Sequence, residues 1–317
     1  MAVYTDVAFG EAADLLQALD VGQLQNLKAC AGGIENTNYF ADTDSGAYVL
    51  TLFERLSFEQ LPFYLQLMKH LAERGIPVPN PAPDKNGQIL HSLKGKPAAV
   101  VNKLRGTSEL APTQAHCAQV GTMLARMHLA GRDFNLSQPN LRGLPWWNTT
   151  LPAVLPHVTP QQRSMLLGEL AYQNHIAASP GFKALPAGTV HGDLFRDNVM
   201  FEGGKLTGFF DFYFAGCDTF LFDLGVCLND WCIDLPTGQH HAERADAFLT
   251  AYQGVRFLTA QERKLLPAMA RAGALRFWIS RLWDFYLPRE ASLLKAHDPT
   301  HFERVLRERV LHPVCLS

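Results

Sequence analysis

Between Asp193 and Asp211 the chain has to double back on itself. Val199-Met200-Phe201 is a short run suited to extended backbone, Glu202-Gly203-Gly204-Lys205 reads as a tight turn, and Leu206 to Phe210 reads as the returning run. Paired glycines reach positive φ without a Cβ clash, which is what a two-residue hairpin turn requires. A hairpin brings its two ends together. The sequence therefore predicts that Asn198 and Asp211 face each other across the strand pair, with Asp193 on the loop just before it.

The same stretch carries chemistry. His191-Gly192-Asp193 followed by Asn198 has the spacing H-x-D-x-x-x-x-N of a kinase catalytic loop, with Gly192 where protein kinases usually have arginine. Asn198 and Asp211 offer an amide oxygen and a carboxylate, hard ligands of the kind Mg²⁺ takes alongside water and substrate phosphates. Asp193 is placed to accept the proton of an attacking hydroxyl. Singly, each of these residues could be a loop cap that only satisfies backbone groups. Fixed spacing, an apolar strand on each side and a glycine turn between make the combination far more specific.

The rest of the chain fits around this hairpin as an α+β, bilobal, protein-kinase-like fold. Residues 1–101 read as a β-rich nucleotide-binding lobe, 102–106 as a hinge, and 107–317 as a mainly helical lobe with the catalytic loop and substrate site. The first hundred residues are expected to hold one helix: Leu61, Tyr64, Leu65, Met68 and Leu71 recur at helical spacing until Gly75, Pro77 and Pro79 stop it. Tyr48 to Phe53 is a strand, and Gln88–His91 and Pro97–Asn102 are two more. In the second part, apolar stripes run from Cys117 to Met127, from Leu221 to Trp231 and along a long helix reaching about Tyr286.

In a small lobe of this kind, Gly32 and Gly33 lie in the turn that covers phosphates, where backbone N–H groups approach the ligand. An ordinary hairpin turn has the same composition. Asn36 and Asn38 follow it as possible donors, Asn102 ends the last strand before the hinge, and Thr51 takes the third-strand position where kinases carry a lysine. A hydroxyl cannot supply that charge, so Arg55, Lys28 or another cation reaches in, or metal and backbone carry the load. Glu59 is the acidic partner of such a lysine or a capping residue.

Gly33 to Tyr39, Tyr48 to Glu54, Gly75-Ile76-Pro77-Val78-Pro79, His191 to Val199, Asp211-Phe212-Tyr213-Phe214, Leu228 to Cys232 and Ala274 to Phe277 together resemble the kinase-fold homoserine kinases of bacteria, within the aminoglycoside phosphotransferase and choline kinase-like superfamily. The resemblance runs along nearly the whole chain. It implies ATP-dependent phosphorylation of the L-homoserine hydroxyl for threonine synthesis, with ATP and Mg²⁺, Asp193 as base, and Asn198 and Asp211 as metal ligands. It also implies a small-molecule site in the helical part. Arg276 and Arg281 are candidates for the carboxylate, or are structural. Tyr213 and Trp231 wall the pocket or belong to the core. Asp218 or Asp230 holds the ammonium, and Arg196 meets the γ-phosphate or pairs with an acid. Asp223 is expected to accept backbone N–H bonds from the catalytic loop.

Composition sets the outer limits. A formal net charge of −2 with no basic block argues against nucleic acid as a partner. No apolar run approaches the ~18 residues of a membrane span, and Met1 to Gly10 lacks the order of a signal peptide, which points to the cytoplasm. The six cysteines have neither zinc nor disulfide-framework spacing. The oligomeric state stays open. Two rival readings also stay open: another small-molecule kinase of the superfamily, acting on an aminoglycoside, choline or a sugar, or a catalytically inactive nucleotide-binding protein. Acids and bases are balanced from Gly216 to Ser317, which argues weakly against a polycationic acceptor.

Overall fold

The computed structural model describes residues 5–30, 36–287 and 297–314. The chain divides into two compact units, Met1–Arg105 with Thr207–Phe210, and Gly106–Leu206 with Asp211–Ser317. The strip Thr207–Phe210 thus belongs with the first unit, whereas the sequence reading left it with the helical part. No helix among the described residues is long and apolar enough to cross a membrane.

The first unit opens with α1 (Phe9–Ala18), then β1 (Leu24–Ala29), β2 (Asn36–Thr43), β3 (Ala47–Phe53), α2 (Pro62–Glu73), β4 (His91–Leu93) and β5 (Lys96–Asn102). The strands form one antiparallel sheet in the order β1-β2-β3-β5-β4. Leu50 and Leu52 of β3, Ala41 of β2 and Val100 of β5 pack with Ala12 and Leu16 of α1 in its core. The sequence reading missed α1. Its buried face is only Ala12 and Leu16, four residues apart, and its start is set by Glu11 accepting from the Ala8 N–H. The strand expected at Gln88–His91 lies later, at His91–Leu93. Asp84 Oδ1 accepts from the N–H groups of Asn86 and Gln88, which commits that stretch to a turn.

The second unit begins with β6 (Thr107–Ser108) and continues through α3 (Gln114–Ala130), α4 (Leu144–Val154), α5 (Pro160–Ala178), the short α6 (Pro180–Lys183), β7 (Ala187–Val190), β8 (Val199–Glu202), β9 (Lys205–Phe209), β10 (Gly216–Thr219), α7 (Phe220–Trp231), α8 (Ala242–Gln253), α9 (Ala260–Tyr286) and α10 (Thr300–Leu311). β9 carries the chain into the first unit at Thr207. β7 pairs antiparallel with β10, and β8 lies between β6 and β9. The turn from β8 to β9 has φ of 56° at Gly203 and 77° at Gly204, as the paired glycines required. Helix α7 is buried along its whole length. Asn229 Nδ2 donates to the Ala270 carbonyl at 2.6 Å, which ties α7 to α9 by a bond that no water competes for.

Candidate active site

β7 ends at Val190 and delivers the chain to His191-Gly192-Asp193. Gly192 has φ +74°, and a Cβ there would stand 2.8 Å from the Phe214 carbonyl oxygen. Any other residue would be strained and would push away the segment after Asp211, which accounts for glycine at this point of the motif.

One face of α7 binds the loop. Asp223 is fully buried and accepts from the N–H groups of His191 at 2.7 Å and Gly192 at 2.8 Å, the expected loop-holding role. Cys227 Sγ and Trp231 Nε1 both donate to the Leu194 carbonyl, the indole at 2.9 Å. Asp230 accepts from the Arg196 N–H at 2.8 Å and from its Nε at 3.1 Å. Positions 223, 227, 230 and 231 fall on a single helical stripe. Three of the candidate residues lie on or against this stripe. Asp230 is engaged with the loop through its Oδ2. Arg196 is the acid-pairing arginine: its Nη1 donates to the Leu110 carbonyl at 2.9 Å, its Nη2 to the Asp230 carbonyl, and the residue is only 6% exposed. Trp231 is wholly buried, the core alternative of its two readings.

Asp223 also receives a bond from His128 Nε2 at 3.1 Å, while the other ring nitrogen of His128 takes the Tyr252 hydroxyl at 2.8 Å. Burial drives the His128 pKa down, which favours the neutral ring; a proton on Nε2 then serves Asp223 and leaves Nδ1 to accept from Tyr252. Burial also pushes Asp223 up, but the bonds from His128 and the loop more than offset this, and its carboxyl lies below the ordinary range. The sequence offered little warning of His128, a lone histidine at the end of an apolar helix stripe.

Asn198 closes the loop from the far side. Its Nδ2 donates to the Asp193 carbonyl at 2.8 Å and reaches the Asp193 carboxylate at 3.4 Å. This fixes the amide so that Oδ1 faces away from the loop. Asp211 follows β9 in the left-handed region, at φ 68°, and starts a turn of 3-10 helix at Phe212–Phe214. A non-glycine residue rarely takes that conformation without a reason in its surroundings. Asp193 is 14% exposed and sits 3.7 Å from Arg276 Nη1. Loss of solvent raises its pKa well above the usual carboxylate value. Arg276 opposes the rise, and the charges of Asp211, Asp197 and Asp230 add to it. Burial in turn pulls Arg276 down to about 10.

Among the described residues no group of three His, Cys, Asp or Glu is arranged to hold a metal ion. An all-protein cage is therefore absent from them, and the donor set of Asn198 Oδ1 and Asp211 fits an ion whose remaining ligands are phosphate and water.

The other candidate residues divide. Tyr213 is half-buried beside Asp211, and burial raises its phenol. Asp218 takes the Asn140 Nδ2 at 2.8 Å and the Thr219 N–H at 2.6 Å, so both its oxygens are in use. Arg281 has its Nη1 on the Asp298 carbonyl and stacks on Phe302 at 4.5 Å. In the first unit, Thr51 pairs in register with Asn38 and donates its hydroxyl to Asn38 Oδ1 at 2.7 Å. Asn36 opens β2, and Asn102 Oδ1 accepts the Asn80 N–H at 2.7 Å. Gly32 and Gly33 lie outside the described residues. Lys96, which the sequence reading did not name, pairs with Glu54 just past the end of β3, and Glu54 also accepts from Thr37 and Thr5.

A model of the phosphotransferase enzyme family matches residues 26–258. The homoserine kinase of Polaromonas naphthalenivorans (strain CJ2) is 73% identical over 316 residues, covering 100% of both chains. That of Burkholderia cenocepacia (strain HI2424) is 54% identical over 324 residues, covering 100% of this chain and 98% of the other. Among solved structures, an amicoumacin kinase in complex with AMP-PNP, Ca²⁺ and its ligand superposes with a TM-score of 0.71 at 16% identity, covering 97% of this chain and 95% of that one. The choline kinase of Cryptosporidium parvum Iowa II does so with a TM-score of 0.60 at 12% identity, covering 91% and 87%. At such identities the likeness is one of fold.

Proposed function

The chain belongs to the phosphotransferase enzyme family and, within it, to the homoserine kinases, and from that membership we propose how its residues divide the work of moving the γ-phosphoryl group of ATP to the hydroxyl of L-homoserine. The product is O-phospho-L-homoserine, an intermediate of threonine synthesis. The observation that carries the assignment of roles is the arrangement around Asp193. One carboxylate has Arg276 on one side and the Asn198 amide on the other, on a loop lashed to a buried helix.

Asp193 receives the hydroxyl proton of the acceptor as its oxygen approaches phosphorus. A raised carboxyl pKa makes it a better proton acceptor in the transition state, and the positive charge of Arg276 favours its ionised form. Asn198 and Asp211 would hold Mg²⁺, which supplies positive charge to the phosphate oxygens and offsets the Asp211 charge felt by Asp193. Arg196 acts by position: with its guanidinium committed to Asp230 and Leu110, it keeps the loop in shape. Residues 1–101 take the nucleotide, through Asn36, Asn38 and Thr51 with the Gly32–Gly33 turn, joined by Asn102 of the hinge. Residues 107–317 take the acceptor, with 102–106 as the hinge. The site of action is the cytoplasm.

Steady-state ADP release with L-homoserine, L-threonine, choline and kanamycin, measured side by side, tests the reading. L-homoserine is expected to give the highest kcat/KM. Preference for choline or kanamycin would replace the substrate, and nucleotide binding without ADP release on any acceptor would replace the enzyme by a binding protein.

A further inference from the structure

We propose that Arg276 selects the acceptor: its guanidinium takes the carboxylate of an amino acid whose hydroxyl is presented to Asp193. The inference rests on the homoserine kinase reading and gives to one residue the recognition that the reading leaves open.

Arg276 lies on α9, and its side chain is only 4% exposed. Burial pulls it down to about 10, so it still carries its charge at neutral pH. A buried charge is costly unless it is both paired and hydrogen-bonded. The protein pairs this one without completing its hydrogen bonds. Nη1 faces Asp193 Oδ1 at 3.7 Å, an ion pair beyond hydrogen-bond reach, and Nε is buried with no partner. Two nearby arginines are engaged by the protein itself. Arg196 is committed to Asp230 and the Leu110 carbonyl, and Arg281 gives Nη1 to the Asp298 carbonyl. A buried donor group left short of oxygens calls for an explanation, and an acceptor that bears a carboxylate supplies one.

Aromatic rings hold the guanidinium in place. Its carbon lies 3.7 Å from the centre of the Phe277 ring and 5.0 Å from that of Phe214. Phe277 packs in turn on Phe195 of the catalytic loop at 4.4 Å and on Phe302 at 5.1 Å. Phe214 closes the turn that starts at Asp211. Rings against a planar guanidinium leave its edge for polar contacts, and the N–H donors lie in that edge. A carboxylate meets such an edge through two parallel hydrogen bonds.

The two oxygens of Asp193 face different groups. Arg276 stands at Oδ1, while Asn198 Nδ2 reaches Oδ2 at 3.4 Å. Asn198 marks the side on which metal and phosphate would be held, so the Arg276 side falls to the body of the acceptor. The lengths agree. A hydroxyl donates to a carboxylate across about 2.7 Å, and a guanidinium donates to one across about 2.8 Å. In L-homoserine the hydroxyl oxygen and the carboxylate are roughly 5 Å apart by ordinary bond lengths. With Nη1 3.7 Å from Asp193 Oδ1, these spans close into a ring, and one acceptor molecule is long enough to bridge both residues.

The test is the kinetics of Arg276→Gln and Arg276→Lys with L-homoserine and with 3-aminopropan-1-ol, which keeps the amine and hydroxyl and lacks the carboxylate. Arg276→Gln removes the charge beside Asp193 for both acceptors, so the difference between them reports on recognition. Its kcat/KM is expected to fall about 1,000-fold with L-homoserine and about tenfold with 3-aminopropan-1-ol, with KM for L-homoserine carrying most of the difference. Arg276→Lys keeps a cation beside Asp193 without the planar fork. Its loss on L-homoserine should exceed its loss on 3-aminopropan-1-ol about tenfold, and this milder variant carries the test where Arg276→Gln does not fold. Equal losses on both acceptors would confine Arg276 to supporting Asp193 and the fold, and would overturn the proposal. A parent enzyme that fails to phosphorylate L-homoserine would instead overturn the underlying reading.

Discussion

Replacing Asp223 with asparagine tests whether α7 organises the catalytic loop. The fully buried carboxylate accepts from His191 N–H, Gly192 N–H and His128 Nε2. Asparagine keeps one oxygen and turns an NH₂ group toward a former donor. At least one buried N–H then loses its partner, at about 1–3 kcal/mol, and the charge-assisted bonds of the others weaken, for about 3–5 kcal/mol in all. Since a typical domain is stable by only about 5–15 kcal/mol, that is a large fraction of the total. All five tryptophans, Trp146, Trp147, Trp231, Trp278 and Trp283, belong to the second unit. Urea unfolding followed by tryptophan fluorescence therefore reports on that unit, and a shift in midpoint at constant m gives the stability change. Because the Asp223 pKa is lower folded than unfolded, its contribution is present above the ordinary carboxylate pKa and is lost as pH falls through the folded value. The gap between parent and variant should accordingly close in acid. A loss below about 1 kcal/mol at neutral pH, with turnover intact, would refute the view that this carboxylate holds the loop.

Asp193→Ala should lower kcat by about 10²–10⁴-fold while nucleotide affinity, read by equilibrium titration, changes little. Near-normal turnover would remove Asp193 from the base role. Asp211→Ala should weaken nucleotide binding as well and raise the Mg²⁺ concentration needed for half-maximal rate. Burial beside arginines pulls His240 and His301 down to about 4 each, so the unfolded chain takes up protons that the folded chain refuses. Stability should therefore fall as pH drops from the ordinary histidine range toward 4, and His240→Gln with His301→Gln should flatten the Tm profile over that window.

What could be read from the sequence was local. The catalytic hairpin is encoded by a glycine pair between two short apolar runs. The helices α2, α3, α7 and α9 are encoded by spacing along a single segment, and Asn198 and Asp211 sit at the ends of that hairpin with Asp193 on the loop before it. The misses have a different physical source. Arg196 and Asp230 are 34 residues apart, His128 and Asp223 95 apart, and Asn140 and Asp218 78 apart. Helical periodicity says that Asp223, Cys227, Asp230 and Trp231 share a face, but it does not say what that face meets. Read residue by residue, Asp230 looked available to a ligand, Trp231 to a ligand or to the core, and Asp223 looked structural. Treated as one stripe, the three are bound to the same fate, because a face that seats Asp223 against the loop must bring Asp230 and Trp231 to the loop as well. The same logic separates the arginines. Arg276 and Arg281 share α9 and invite equal treatment, yet one pairs with Asp193 and the other sits among acids.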